Sequence, residues 1–430
     1  MLYLRWLETS RRFAHRAAIL DGDGVTTFGG LAAAVESAPK ALAPVVARSG
    51  DPRFFVDILR AWRDGMAVIP VERDAPDPVL RRPPPAATRL IKHTPGASGI
   101  PRAIFLNDMQ VIADADRITA AMGLSPDVPN LAVVSLAHSY GFCNVVLPLL
   151  LHGVPARLLP LPFPRLVENA FRQHEAVVLP AVPSMWRAWQ RAGVLTDSPL
   201  RLAISAGAPL ALDLEQRVFE ETGLKIHNFY GASECGGIAF DPTDTPRESA
   251  SIVGIPLPGV TVDTGRDGRL RVTSDAVATG YDAPRGDDLL ENGVYLTRDL
   301  GFTDAGGFVH LTGTTGGAIN VAGRKISPAK VEAAIMATGQ VLRVKVLGIP
   351  SADPERFEEI AALAELADGV SPAVLKSALT ERLPLWEIPR QWRFGTQEWK
   401  LDAAELRQMF LTRKENGNHE RDESSRKSKS

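Results

Sequence analysis

Residues 93–102 read His-Thr-Pro-Gly-Ala-Ser-Gly-Ile-Pro-Arg, and the rest of the chain can be interpreted outward from this stretch. Two glycines, two hydroxyl side chains and two prolines prevent regular structure here. The glycines, among them Gly99, let backbone N–H groups approach an anion closely. Thr94 and Ser98 add hydroxyl donors, and Arg102 ends the stretch with a positive charge. The stretch predicts a phosphate-binding loop, with a surface turn before a helix as the alternative; a P-loop is disfavoured because no Lys-Ser/Thr pair follows Gly99.

The composition is that of an ordinary globular protein. At 430 residues, 45% of them hydrophobic and 23% charged, the chain should form two or three domains. A net charge of −2 argues against nucleic acid or an anionic membrane as the main partner. The longest apolar run, Val145 to Leu151, is too short to span a bilayer. Cys143 and Cys235 lack metal-ligand spacing, so no disulfide framework or zinc site is expected. The low cysteine content predicts a cytoplasmic location.

Short apolar strands alternate with helical periodicity up to about residue 240. The first part shows a hairpin at 18–28, a helix at 55–62 and a strand at 89–92. Beyond the loop, strands are predicted at 130–136, 156–159, 176–179, 200–205 and 225–228, and helices at 166–174, 184–192 and 213–222. This alternation favours a parallel, helix-covered sheet that binds its ligands at the carboxyl ends of the strands. Loops rich in glycine and hydroxyl groups follow these ends, at 138–141, 205–209 and 230–234.

The pattern changes after residue 240 to strands and turns. Strands predicted at 260–263, 269–273, 293–297 and 307–311 indicate an antiparallel, barrel-like subdomain at about 241–313. A glycine-rich break at 312–317 precedes a small α+β unit with helices at 327–337, 372–383 and 402–410 and strands at 343–348 and 359–365. We therefore predict an α/β protein with an N-terminal domain of residues 1–313, a C-terminal domain of residues 317–412 and a disordered tail of residues 413–430.

Three further stretches carry a family resemblance. They read Tyr-Gly-Ala-Ser-Glu at 230–234, Tyr-Leu-Thr-Arg-Asp-Leu-Gly at 295–301 and Asn-Val-Ala-Gly-Arg-Lys-Ile-Ser-Pro-Ala-Lys-Val-Glu at 320–332. Together with the loop at 94–102, and in this order, they resemble the acyl-adenylate-forming superfamily of acyl-CoA synthetases, adenylation domains and luciferases. The resemblance extends from about residue 13 to residue 411. It implies a small C-terminal domain that is mobile about a hinge at Gly316.

The resemblance implies ligase chemistry in two steps. A carboxylic acid, expected to be a hydrophobic fatty or aryl acid, would react with ATP and Mg²⁺ to form an acyl-adenylate and pyrophosphate. The acyl group would then pass to the thiol of coenzyme A, or to the phosphopantetheine arm of an acyl carrier protein, and AMP would leave. Because charge builds on phosphate oxygens during the first step, fixed donors and a metal must be aimed there before reaction.

The resemblance also implies roles for individual residues. Glu234 would ligate Mg²⁺, a hard cation that prefers oxygen ligands. His138 would line the carboxylate pocket, and Lys400 would be the lysine that acts in adenylation. Asp299 would accept the ribose hydroxyl protons. The complete set of nucleotide-binding residues would be Thr94, Ser98, Gly99, Arg102, Gly207, Ala208, Pro209, Asn228, Tyr230, Gly231, Ser233, Asp299 and Arg324.

Several positions depart from the pattern of the family, namely Pro95, Ala97, Thr314, Asn320 and Trp399. They motivate an alternative function, in which a degenerate family member binds nucleotide or acyl-adenylate without efficient turnover. A luciferase-like oxygenating activity has no specific support in the sequence. The structural alternatives are a solvated loop carboxylate for Glu234, a turn residue for Asp299, a core histidine for His138 and a solvated lysine at a helix start for Lys400.

Overall fold

The structure is a computed structural model, and it describes the following residues: 1–94, 102–284, 286, 288–314, 319–322, 324–351, 358–367, 369–395, 399, 406–407 and 409–411. These residues form two compact units, a larger one within residues 1–314 and a smaller one within residues 319–411. Within the described ranges, no helix is both long enough and apolar enough to cross a membrane. The predicted domain boundaries stay a prediction, and the predicted tail at 413–430 lies outside the described residues.

The larger unit mixes helices and strands throughout. Its helices are α1 Leu2–Arg12, α2 Phe28–Ser37, α3 Phe54–Arg63, α4 Asp108–Ala121, α5 Ser139–Gly141, α6 Leu147–His152, α7 Pro164–Phe171, α8 Pro183–Arg191 and α9 Leu212–Thr222, with a π-helix Phe142–Val146 between α5 and α6. Its strands are β1 Ala17–Asp21, β2 Gly24–Thr27, β3 Val45–Arg48, β4 Val68–Val71, β5 Thr88–Thr94, β6 Arg102–Asn107, β7 Asn130–Ala132, β8 Ala156–Leu158, β9 Val177–Ala181, β10 Leu200–Ser205, β11 Ile226–Ala232, β12 Gly236–Phe240, β13 Ile252–Pro256, β14 Thr261–Thr264, β15 Arg269–Thr273, β16 Gly280–Tyr281, β17 Leu290–Glu291, β18 Val294–Thr303 and β19 Val309–Thr314.

Local sequence signals set the ends of these elements. Helix α4 begins with a capping box, in which Asn107 and Gln110 each accept a hydrogen bond from the other's backbone N–H. Helix α8 has Pro183 in its first turn, where no backbone donor is needed. Helix α9 ends at Gly223, which adopts the left-handed conformation with φ of 71°. Strand β9 is buried along its whole length, as expected for a parallel strand covered on both faces.

The main sheet changes character at β11. From β11 through β10, β9, β7 and β8 to β1 the strands are parallel. From β11 through β12, β13, β19, β18 and β15 to β14 they are antiparallel. The predicted α/β fold with an antiparallel part after residue 240 is therefore confirmed, and β11 joins its two halves.

A second sheet has the strand order β16-β6-β5-β4-β3. Strands β5 and β6 pair antiparallel, with Thr94 opposite Arg102, and they are connected by residues 95–101, which lie outside the described residues. Strand β16 pairs antiparallel with β6, where Tyr281 stands opposite Ile104. The chain thus leaves the main sheet after β15, adds a short strand to the second sheet, and returns to the main sheet with β17 and β18.

Two hydrophobic clusters support the main sheet. One contains Trp6, Phe28, Phe142 and many smaller apolar side chains. The other contains Trp186 and Trp189, whose rings meet edge to face with centroids 5.2 Å apart. Both clusters include residues of β-strands and of helices, so each helical layer is fixed to the sheet by buried apolar surface.

The structure corrects some details of the predicted elements. Strand β7 ends at Ala132 and not at residue 136, because the N–H of Val133 turns back to bond the carbonyl of Leu131. The predicted loop at 230–234 is mostly strand, since Tyr230 to Ala232 pair with β12. Helices α1, α2 and α4 were not predicted from the sequence.

The smaller unit is an α+β fold. Its elements are β20 Ile319–Val321, β21 Arg324–Ile326, α10 Pro328–Met336, β22 Val341–Pro350, β23 Glu358–Leu366, α11 Pro372–Leu379 and β24 Gln391–Phe394. Strand β23 pairs antiparallel with β22 and parallel with β24, and helices α10 and α11 contribute Val331 and Leu375 to a common core. Helix α11 stops at Leu379, short of the predicted end at residue 383. Residues 406–407 and 409–411 are helical, and the rest of the predicted last helix lies outside the described residues.

Candidate active site

The candidate site lies at the carboxyl ends of the parallel strands, as the sequence predicted. Ser205 at the end of β10 stands opposite Ala181 on β9 and Asn228 on β11. Tyr140 is held against this edge because its hydroxyl contacts the carbonyls of Ala181 and Ile204, at 3.3 and 3.2 Å. The segment that begins at His138 is thereby fixed at the strand ends, where ligands bind in folds of this type.

The glycine-rich residues of this edge have conformational reasons for their identity. Gly207, just after β10, has φ of 81°, which favours glycine. Ala208 and Pro209 continue this turn. A side chain at Gly231 would place its Cβ 2.8 Å from the carbonyl oxygen of Gly236 on the paired strand, so the β11–β12 hairpin requires a glycine there. These two glycines are therefore explained by the backbone conformation and by the pairing of β11 with β12, and they do not by themselves indicate a ligand.

Tyr230 and Asp299 come together from different parts of the chain. The Tyr230 hydroxyl donates a hydrogen bond of 2.6 Å to Oδ2 of Asp299 on β18. Burial, together with this carboxylate, raises the pKa of Tyr230 well above its usual value, so the phenol stays protonated and donates. Thr297 fixes the backbone of Asp299 through two hydrogen bonds of 3.0 Å. A carboxylate can accept several hydrogen bonds, so this geometry is compatible with a further role as acceptor.

Glu234 lies in the turn between β11 and β12. Its residue is only 9% exposed, and Oε1 accepts a hydrogen bond of 3.0 Å from the hydroxyl of Tyr281. The preceding Ser233 has its Oγ 2.6 Å from the Oγ of Ser139, which ties the turn to α5. Burial and the neighbouring Glu234 raise the pKa of Tyr281, so its hydroxyl also remains a donor. The turn therefore presents a carboxylate whose orientation is fixed by hydrogen bonds.

Arg102 has a different environment from the one that the sequence suggested. Its guanidinium stacks over the ring of Tyr281, 3.8 Å from the ring centroid, and forms an ion pair with Asp288. Burial alone would lower the pKa of Arg102, but the hydrogen bond to Asp288 and nearby negative charges outweigh it and raise the pKa. In this structure Arg102 thus supports Tyr281 below Glu234, and its predicted contact with phosphate stays a prediction.

Asn228 and His138 also have specific protein partners. The Asn228 side chain is 4% exposed and donates to the Val253 carbonyl at 3.2 Å, so here it ties β11 to β13. The His138 side chain is 74% exposed, and its Nε2 lies 3.2 Å from Oε1 of Glu72. Because the ring is exposed, the structural alternative of a core histidine is wrong for His138. The predicted contacts of both residues with ligands stay predictions.

Several predicted residues cannot be placed in this geometry. Thr94 ends β5, where it stands opposite Arg102, whereas Ser98, Gly99, Lys400 and the predicted hinge residue Gly316 lie outside the described residues. Arg324 belongs to the smaller unit, where its guanidinium lies 4.4 Å from the ring centroid of Trp386.

The residues that support the turn of Glu234 could not be recognised from the sequence. Tyr281 sits in a strand of two residues, and Asp288 follows it in an irregular segment. Neither residue belongs to the stretches that carry the family resemblance, at 94–102, 230–234, 295–301 and 320–332. A glycine-tyrosine pair after a strand is too common a signal to reveal their contacts with Glu234 and Arg102.

The acidic residues bear on metal binding. No group of three or more His, Cys, Asp or Glu side chains suited to a metal occurs in the described part of the chain. Mg²⁺ that arrives with a nucleotide needs few protein ligands, because one or two carboxylates complete a coordination shell made largely of phosphate and water oxygens. The single fixed carboxylate of Glu234 suits this mode better than a site for a free ion.

Comparison with known proteins gives a family match and several relatives. A family model described as AMP-binding enzyme matches residues 11–281. The chain is 26% identical over 357 residues to sulfoacetate–CoA ligase of Cupriavidus necator, which covers 77% of this chain and 68% of that protein. It is 26% identical over 348 residues to feruloyl-CoA synthase of an Amycolatopsis species, with 75% of this chain and 70% of that protein covered. It is 23% identical over 353 residues to long-chain-fatty-acid–CoA ligase of Bacillus subtilis, covering 77% of this chain but only 62% of the relative.

Solved structures resemble the whole fold. o-Succinylbenzoate CoA synthetase from Bacillus subtilis matches with a TM-score of 0.76 at 18% identity, covering 95% of this chain and 97% of that one. The amide bond synthetase McbA from Marinactinospora thermotolerans also gives a TM-score of 0.76, at 20% identity, with coverage of 95% and 99%. At these identities the likeness establishes the fold.

Proposed function

Because the chain belongs to the family of AMP-binding enzymes, we propose that it activates a carboxylic acid with ATP and transfers the acyl group to a thiol. The observation that carries this proposal is the β11–β12 hairpin, which holds both candidate carboxylates. Tyr230 on β11 binds Asp299, and the turn that ends β11 carries Glu234. The proposed acceptor for ribose and the proposed metal ligand thus both depend on this one hairpin for their position.

In the first step, a carboxylate oxygen of the acid attacks the α-phosphorus of ATP. The bond from this phosphorus to the bridging oxygen breaks, and pyrophosphate leaves with the electron pair. Mg²⁺, when bound, supplies positive charge to the phosphate oxygens. Glu234 would hold the metal, and its own orientation is kept by Tyr281. Asp299 would position the nucleotide through the ribose hydroxyls, while Ser233 and the loop at 94–102 would donate hydrogen bonds to phosphate.

In the second step, the sulfur of the thiol attacks the acyl carbonyl carbon, AMP leaves, and the thiol proton passes to solvent. Lys400 would serve only the first step, when charge builds on the α-phosphate. The C-terminal domain, proposed to comprise residues 317–412 and to turn about Gly316, would rotate between the steps. Coenzyme A is the acceptor favoured by the relatives, several of which are named CoA ligases. The phosphopantetheine arm of a carrier protein is the alternative acceptor.

We propose a hydrophobic fatty or aryl acid as the substrate. The relatives include a long-chain-fatty-acid–CoA ligase and a feruloyl-CoA synthase, which support these two classes. The relatives also include a sulfoacetate–CoA ligase, so a small anionic acid is the class to test against. The strand edge contributes small residues such as Gly207, which would leave space for an acyl group.

The test is pyrophosphate release from ATP with purified protein, Mg²⁺ and a panel of acids. The panel contains medium- and long-chain fatty acids, cinnamic-type aryl acids and sulfoacetate, each with and without coenzyme A. We expect release with fatty or aryl acids, and an acyl-CoA product detected by mass spectrometry. Glu234→Gln serves as the inactive control. Activity with sulfoacetate alone would contradict the proposed substrate class.

One observation favours a second function, that of a degenerate family member that binds nucleotide or acyl-adenylate without efficient turnover. Arg102, the cation predicted to contact phosphate, is ion-paired with Asp288 in this structure. If nucleotide binds, as measured by calorimetry, but no acid of the panel releases pyrophosphate, this second function replaces the first.

A further inference from the structure

A lysine is buried in strand β5, two residues before the end of the strand. Lys92 is 5% exposed, and its Nζ lies 3.2 Å from Sγ of Cys143 in the π-helix. Burying a charge is costly unless it is paired and hydrogen-bonded. A protonated thiol is a polar but neutral neighbour, so a carboxylate must compensate the charge of Lys92.

Asp114 of helix α4 supplies this carboxylate. It is 3% exposed, and besides burial its negative charge raises the pKa of the neighbouring Cys143 thiol. Burial, the largest effect, raises the pKa of Cys143 to about 12, so the thiol keeps its proton while it accepts a hydrogen bond from Lys92. Burial alone lowers the pKa of Lys92, but Cys143 and Asp114 outweigh this effect and raise it. The result is a buried cluster of an ammonium, a thiol and a carboxylate.

The carboxylate of this cluster contacts the start of strand β12, which directly follows the turn that carries Glu234. Oδ1 of Asp114 accepts the buried backbone N–H of Gly237 at 2.8 Å. Gly236, next to it, has φ of 71°, and a Cβ there would lie 2.1 Å from the same oxygen. A glycine at 236 is therefore required both by the backbone and by the approach of Asp114. The turn is shaped to receive this particular carboxylate.

We propose that Lys92, Cys143 and Asp114 form a positioning cluster, which holds the start of β12, and with it the preceding turn of Glu234, in a fixed place relative to strand β5. Asp114 is the positioning residue, since it is the member of these three that contacts the start of β12. Packing by itself does not call for these charges, because replacing a buried ion pair by apolar residues is often neutral or stabilising. The inference rests on the proposed function in one respect, namely that Glu234 acts on a metal-bound nucleotide.

The first test needs no activity. Residue-resolved amide hydrogen exchange is measured for Gly237 in the wild-type protein and in Asp114→Ala. Loss of the acceptor should speed exchange of this amide by about tenfold or more. Asp116→Ala is the matched control, because Asp116 lies on the same helix but pairs with Arg5 and His152, at 2.8 and 2.9 Å. The control should leave Gly237 unchanged.

The second test measures the Mg²⁺ concentration that gives half-maximal ATP–pyrophosphate exchange. Loss of a residue that orients a metal ligand typically weakens metal binding by about 10- to 100-fold, and we expect this shift in Asp114→Ala with little change in the KM of the acid. Cys143→Ser keeps a donor and acceptor and should stay close to wild type, whereas Cys143→Val should shift in the same direction as Asp114→Ala. If Asp114→Ala does not fold, the serine and valine variants provide the same comparison.

The two tests separate the possible failures. The proposed function is contradicted if the wild-type protein shows no ATP–pyrophosphate exchange with any acid. In that case, the amide hydrogen exchange of Gly237 still decides whether the positioning cluster holds the turn of Glu234. If the amide hydrogen exchange rate of Gly237 is unchanged in Asp114→Ala, the proposed positioning cluster is overturned. An equal Mg²⁺ requirement in Asp114→Ala and Asp116→Ala also overturns it, even when both variants are active.

Discussion

Replacing Tyr281 by phenylalanine should weaken the use of Mg²⁺ without disturbing the fold. The variant removes one hydroxyl, which donates a hydrogen bond of 3.0 Å to Glu234, a residue that is 9% exposed. The ring stays in place beneath the guanidinium of Arg102, whose carbon lies 3.8 Å from the ring centroid. The change therefore isolates the orientation of the Glu234 carboxylate from the packing around it.

The magnitude follows from the kind of hydrogen bond that is lost. A hydrogen bond to a charged group contributes about 1.5–3 kcal/mol, which corresponds to about 10- to 100-fold in an equilibrium or rate constant. Part of this energy would appear as a higher Mg²⁺ requirement and the rest as a lower rate, because a misplaced ligand binds the metal less well and places it less accurately.

The assay is the initial rate of ATP–pyrophosphate exchange, titrated with Mg²⁺ at saturating ATP and acid. Tyr140→Phe is the control, since this tyrosine is fixed to the carbonyls of Ala181 and Ile204 and not to Glu234. The control should lose stability but keep the wild-type Mg²⁺ requirement. If Tyr281→Phe shows the same Mg²⁺ dependence and maximal rate as Tyr140→Phe, the hydroxyl of Tyr281 does not orient Glu234 and the reasoning is refuted.

Three further predictions concern the proposed mechanism. Glu234→Gln keeps the size of the side chain but removes its charge, so exchange at saturating Mg²⁺ should fall by about 100-fold or more, and an unchanged rate would remove Glu234 from the mechanism. Gly316→Pro should restrict the proposed hinge, so that adenylation and thioester formation respond unequally; equal loss of both steps, with a normal circular dichroism spectrum, would count against a hinge there. Lys400→Ala should abolish most adenylation yet leave thioester formation from synthetic acyl-adenylate intact, and adenylation at a near wild-type rate would make Lys400 a surface residue.

The parallel half of the main sheet could be predicted because its signals are local. Strand β10 matches its predicted bounds, since an apolar run is bounded by Pro199 and by the turn at Gly207. Helix α4 could not be predicted in the same way, because Asp114 is buried in the middle of it and interrupts the apolar face. A hydrogen bond from the backbone N–H of the distant Gly237 satisfies this aspartate, and such a contact leaves no periodic signal in the sequence.

The candidate site shows the same difference between residues with a local sequence signal and residues placed by tertiary contacts. Tyr230, Glu234 and Asp299 could be identified because they stand in contiguous motifs, and the structure shows which protein groups hold each of them. Their partners could not be identified, since Tyr281 contacts Glu234 only through the pairing of distant strands. The sequence places the charged residue Lys92 directly after the apolar residues Leu90 and Ile91, but only the folded structure shows that Cys143 is its partner.

The excursion of the chain from the main sheet to β16 has a consequence for the order of folding. Tyr281 can reach Glu234 only after Gly280 and Tyr281 have paired with Phe105 and Ile104, which lie far away along the chain. Contacts of such long sequence separation carry a large loop-closure cost, and they form late in folding. A partly folded chain with a complete parallel sheet would therefore still lack an oriented Glu234. Metal-dependent chemistry should appear only with the last, cooperative phase of refolding, which makes the recovery of activity a sensitive probe of whether the two sheets have joined.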